Sequence, residues 1–107
     1  MTTAWCYLLI AGICEICWPI GLKVMNFPGR RILGIVMVIL ALIFSSLFLW
    51  LAQRNIPIGT AYAVWTGIGA AGTMLVGIIF WHDPLTLWRV LGVMMIVGGV
   101  VLLKVAS

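Results

Sequence analysis

The sequence predicts an all-α membrane protein, with four transmembrane helices in one domain spanning 1–107, assembled as an antiparallel dimer of dual topology. Three observations carry that expectation. The chain is 65% hydrophobic and only 7% charged, too apolar for the surface of a water-soluble domain of 107 residues. Its apolar residues fall into four runs, each near or above the ~20 residues a helix needs to cross a bilayer. The basic residues of its loops are divided so evenly between the two sides that neither orientation is strongly favoured.

The first run covers about 4–22, with Trp5 and Tyr7 near its outer end as expected interfacial anchors. No basic leader precedes it and no small-residue cleavage pattern follows, so it reads as a retained span rather than a signal peptide. Helical spacing places Leu8, Gly12, Glu15, Trp18 and Leu22 on one side. The loop 23–31 holds the turn formers Asn26, Pro28 and Gly29. A second helix, about 32–52, has Ser45 and Ser46 as its only polar interior residues. A buried hydroxyl needs a partner, which is either the serine's own helix or Glu15.

A short link, 53–57, leads to a third helix over about 58–81, the richest in polar groups: Thr60, Tyr62, Trp65, Thr66 and Thr73. Tyr62, Trp65 and Gly69 are spaced three and four apart and share a face. Gly67 and Gly69 mark an expected bend and hinge, with close helix packing as the alternative. His82 and Asp83 fall in a loop at the water boundary, where Asp83 suits a helix cap. The fourth helix, about 85–103, has no polar side chain in its interior. Its Gly92 and Gly99 lie on one stripe, so this is the expected dimer helix.

Glu15 is one of only two acidic residues, and it sits near the middle of the first span. An ionised side chain at that depth costs roughly 2.5–3.5 kcal/mol on insertion scales. Spanning a membrane does not require a glutamate, so the residue reads as a proton and cation site. The competing reading is a protonated acid that holds helices together by hydrogen bonds. Gly12, one turn before it, removes bulk, and Trp18, one turn after it, brings an indole N–H toward the carboxyl. Pro19 has no N–H, so the Glu15 carbonyl loses its usual helical donor.

Several other functions find no support. Cys14 and Cys17 frame Glu15 in a Cys-x-x-Cys spacing, but neither a second cysteine pair nor a nearby histidine completes a metal set. They read as small apolar packing residues, and no metal and no cofactor are expected. No nucleophile–base pair appears, so the chain is not expected to be an enzyme and has no catalytic residue. The net charge of +4 is ordinary for loops flanking membrane helices and gives no reason to expect nucleic acid. A phosphate-binding glycine loop is absent, and so is any soluble segment large enough to hydrolyse ATP.

Four spans place both termini on one side, together with Arg54 and Lys104; Lys23, Arg30, Arg31 and Arg89 lie on the other. So weak a bias allows insertion both ways. Alternating access usually arises from inverted halves around a midplane site, and four helices without an internal repeat are too few to supply both. A second copy in inverted orientation supplies the missing half and brings two Glu15 side chains together.

These residues carry a resemblance. The glutamate in helix one, the segment Pro57-Ile58-Gly59-Thr60-Ala61-Tyr62-Ala63-Val64-Trp65-Thr66-Gly67-Ile68-Gly69 and the glycine-bearing fourth helix resemble the small multidrug resistance transporters over essentially the whole chain. Within that family, Glu15-Ile16-Cys17-Trp18 looks like the guanidinium-exporter branch, since the branch that exports polyaromatic drugs usually has glycine where Trp18 stands. The resemblance implies an antiparallel homodimer in the inner (plasma) membrane that exports guanidinium or substituted guanidinium cations in exchange for protons. It implies that Glu15 binds both, that Trp18 and Ser45 hydrogen-bond the carboxylate, and that Gly12, Tyr62 and Trp65 shape the site. Pro19 and Ser46 depart from the family pattern.

Three further readings stay open at this point. One is a broader exporter of hydrophobic quaternary ammonium compounds, which would lean on Trp18, Tyr62 and Trp65 through cation–π contact. Another is one subunit of a pair of unlike chains. The last is a non-transporting assembly subunit held together by its glycine-lined helices.

Overall fold

The computed structural model describes residues 2–106. It contains four helices, α1 (Thr2–Val24), α2 (Arg31–Gln53), α3 (Ile58–Phe80) and α4 (Leu87–Ala106). All four are long and apolar enough to cross a membrane. They form a slab whose Cα extents are 45 × 34 × 17 Å. Because a helix is about 4.6 Å across at its Cα atoms and packed axes lie about 8–10 Å apart, the slab is about two helices thick. Most apolar side chains therefore face outward.

Turn chemistry sets the connections. Between α1 and α2, the Arg30 amide donates to the Phe27 carbonyl at 3.1 Å, across Pro28 and Gly29. Gly29 has a φ of 74°. Proline followed by a glycine of positive φ is the signature of a type II turn. Between α2 and α3, Pro57 precedes the first helical turn, and its carbonyl accepts from Ala61 N–H at 2.9 Å. After α3, His82 adopts a left-handed φ of 55°, and the Asp83 amide folds back onto the Gly77 carbonyl at 3.1 Å.

The core lies toward the end of the slab where α2 runs into α3. There Ala4, Trp5 and Leu8 of α1 pack with Ala52, Ile56, Ala61 and Val64. Trp5, expected as an interfacial anchor, is packed against the chain itself and 7% exposed, with Lys104 Nζ 5.1 Å from its ring centroid. The small residues Ala52 and Ala61 are buried in the same cluster as the Trp5 ring. At the opposite end, Phe27 stacks on Trp81 with centroids 6.4 Å apart.

α1 packs most extensively on α2 and next on α3, whereas the α4 backbone approaches only α3. α4 starts two residues later than the sequence predicts and has no buried residue. The late start has a chemical cause. Thr86, not Asp83, caps the helix, its Oγ1 accepting from the Arg89 amide at 3.3 Å. The expected role of Asp83 as a cap is thus overturned: it lies too far ahead of the first helical turn.

Candidate functional site

Glu15 lies half-buried on α1, with α2 and α3 meeting around its carboxyl. Trp18 follows it by three residues, so both side chains leave the same face of α1. The Trp18 indole Nε1–H donates to Glu15 Oε1 at 2.8 Å. The other oxygen, Oε2, lies 3.2 Å from Ser45 Oγ on α2. Ser45 is fully buried and Ser46 is exposed, because neighbouring helical residues point about 100° apart. Of the two serines left open by the sequence, the inner one faces the acid.

Ser45 Oγ is a junction of three helices. It lies 2.9 Å from the Ala11 carbonyl of α1 and accepts the Trp65 indole Nε1–H of α3 at 2.8 Å. Trp65 therefore touches the serine and not the carboxyl. Tyr62 stands outside this network, 56% exposed, with its ring tilted against Trp65 at a centroid distance of 5.5 Å.

Two glycines make room for the acid. A Cβ at Gly69 would lie 2.6 Å from Glu15 Cγ, and one at Gly12 would lie 2.7 Å from Ile68 Cγ2. Gly12 thus serves the approach of α3 to α1, and Gly69 gives the Glu15 stem its place. A Cβ at Gly67 would instead meet Val100 of α4 at 2.7 Å. All three lie in uninterrupted helix. Gly92 and Gly99 of α4 face open space in the single chain, with nothing within 4 Å of an added Cβ.

The carboxyl opens into a cleft of about 570 Å³ lined by Pro19, Thr66, Thr73, Asp83 and Arg89. Thr73, Asp83 and Arg89 were not singled out for the site from the sequence. For Thr73 a signal existed, because Thr66, Gly69 and Thr73 repeat at three and four residues and so line one face. For Asp83 and Arg89 there was none, since the fold of the α3–α4 connection decides their position. Arg89 Nε is buried without a hydrogen-bond partner. Among the described residues, no Lys, Arg or His forms a salt bridge with Glu15. The three cysteines are free, with Cys17 Sγ turned back on the Ile13 carbonyl at 3.5 Å.

A four-span membrane fold with one acid held among neutral donors defines the class. The sequence model of the Small Multidrug Resistance protein family matches residues 3–96, and the chain belongs to that family. It is 42% identical over 104 residues to a protein from Proteus vulgaris named guanidinium exporter, covering 97% of this chain and 99% of that one. Proteins of the same name from Yersinia pseudotuberculosis and Citrobacter freundii are each 41% identical over 104 residues, covering 97% of this chain and 99% and 98% of theirs. With its four spans, the chain is a multi-pass protein of the inner membrane.

Proposed function

We propose that the protein is an antiporter that exports guanidinium or substituted guanidinium cations, with protons and cation competing for paired Glu15 carboxyls. The observation that carries this reading is the company Glu15 keeps. Neutral N–H and O–H groups lie against its two oxygens, and no positive side chain pairs with it among the described residues. Its compensating charge must then come from outside the chain, as a proton or as a cation entering the cleft. A planar guanidinium presents a fork of N–H donors matched to a carboxylate, which favours it over a point charge.

A second copy in inverted orientation belongs to the same reading. The slab leaves α4 uncovered, and one chain gives Glu15 a cleft rather than an enclosed chamber. Bound cation displaces the proton on one side of the membrane, and proton entry displaces the cation on the other, so the fluxes are coupled. In this reading Gly67 and Gly69 are the positions about which α3 bends between the two states.

The exposed Tyr62 ring beside Trp65 favours a second reading, a broader exporter of quaternary ammonium compounds held by cation–π contact. Proteoliposomes separate the two. Uptake driven by an outward proton gradient is measured for guanidinium, alkylguanidinium and tetraalkylammonium. The guanidinium reading requires the first two to be carried and Glu15→Gln to abolish coupled uptake. Full coupled transport by Glu15→Gln, or transport of tetraalkylammonium alone, rejects it.

A further inference from the structure

The hydrogens around Ser45 do not balance unless its hydroxyl has two settings. A serine hydroxyl has one hydrogen to donate and two lone pairs to accept with. Trp65 Nε1 is donor-only, so it occupies one lone pair from 2.8 Å. Two acceptors then compete for the single hydrogen, the Ala11 carbonyl at 2.9 Å and Glu15 Oε2 at 3.2 Å. O–H···O bonds fall at about 2.5–3.0 Å, and those to an ionised oxygen at about 2.5–2.7 Å. By distance the hydrogen belongs to Ala11, and the contact to Oε2 is the longer of the two.

We propose that the Ser45 hydroxyl is a one-hydrogen switch that reads the protonation of Glu15 and reports it to the Ala11 carbonyl, with Trp65 as the positioning residue that holds its oxygen. The proposal rests on the exchange reading above and adds residues to it. With a proton on Oε2, Glu15 donates to Ser45 Oγ, which donates to Ala11, and every group at the junction has a partner. When cation removes that proton, Oε2 becomes a charged acceptor with lone pairs for both a cation N–H and the serine hydroxyl. The hydroxyl turns toward it, and the Ala11 carbonyl loses the bond that ties α1 to α2. One hydrogen cannot serve both acceptors, so the two settings exclude each other, while the Ala11 carbonyl keeps its helical bond from the Glu15 amide in either. Trp65 acts on the acid only through this oxygen.

Other ionisable groups near the carboxyl are few. Asp83 of the α3–α4 connection and Arg89 of α4 line the same cleft, Cys14 and Cys17 flank the acid on α1, and Tyr62 lies on α3 beyond Trp65. α2 contributes no ionisable group between Arg31 and Arg54. Glu15→Gln is therefore the control that assigns a pH response to this carboxyl.

The Ala11 carbonyl is observable by itself. With alanine carbonyl carbons and glycine nitrogens labelled, only the pairs Ala11–Gly12 and Ala71–Gly72 give coupled signals, and the second is an internal reference. In the full chain in lipid, adding guanidinium to the protonated protein moves the Ala11 carbonyl resonance and leaves that of Ala71 in place. Raising the pH without cation moves it the same way. The movement disappears in Ser45→Ala and in Glu15→Gln and returns in Ser45→Thr, while Trp65→Phe broadens it or splits it between both settings. Proton release on adding cation is recorded on the same samples. If protons are released but the Ala11 signal stays fixed, or moves equally in Ser45→Ala, the switch is wrong and the exchange reading stands. If cation releases no protons, the exchange reading fails first.

Discussion

The junction around Glu15 and the outer helix α4 are built on opposite terms. At the junction, three helices approach so closely that a single added carbon at Gly69 would press on the Glu15 stem at 2.6 Å. Hydrogen bonds there join Trp18 to Glu15 and Trp65 to Ser45. On α4, a Cβ added at Gly92, Gly98 or Gly99 would meet nothing from the other helices within 4 Å, no residue is buried, and Met95 is 77% exposed. Glycine thus means two things in one chain. At Gly67, Gly69 and Gly72 of α3 it vacates space that the same chain already fills, whereas in α4 it vacates space that this chain leaves empty.

Alanine substitutions break that comparison if the two sets behave alike. The largest effect is expected from Gly69→Ala, whose methyl must displace Glu15. Overpacking of that kind costs about 1–3 kcal/mol, which weakens cation binding by about 5-fold to 150-fold, read by equilibrium binding in detergent. Trp18→Phe comes next. It removes the 2.8 Å donor to Oε1 while keeping an aromatic ring. A bond to a charged group is worth about 1.5–3 kcal/mol, so cation affinity falls by about one order of magnitude or more, with folding preserved by circular dichroism. Gly92→Ala and Gly99→Ala are expected to leave each chain's helicity unchanged and to weaken association between copies, measured by energy transfer between labelled chains in lipid. The smallest effect belongs to Ser46→Ala, within about 0.5 kcal/mol in stability and without change in transport. A Ser46→Ala defect as large as that of Ser45→Ala would erase the distinction between the inner and outer serine.

The spans were readable because bilayer thickness imposes a length and a composition that few other structures share. The pairing of Trp18 with Glu15 was readable too, since a three-residue helical offset is local geometry. The long-range contacts were not. Nothing in the sequence separates Ser45 from Ser46 until the rotation of α2 against α1 is known. Trp5 reads as an interfacial anchor by type and depth, yet it is buried in one cluster with the small residues Ala52 and Ala61, far along the chain. Asp83 and Thr86 are both competent caps, and the left-handed turn at His82 decides between them. Position relative to a chain end or a turn is legible from spacing, whereas the choice between equivalent candidates belongs to packing.

The grip on α4 is lopsided. Val100 and Leu103 pack against the Trp5 core, and Lys104 lies over the Trp5 ring, but at the other end Trp88 is 80% exposed. The helix is held at its tail by apolar packing, and at its head by Arg89, whose Nε is buried and which lines the Glu15 cleft. The end of α4 that reaches the acid's cleft is thus the one whose large side chains, Leu87 and Trp88, stay outside.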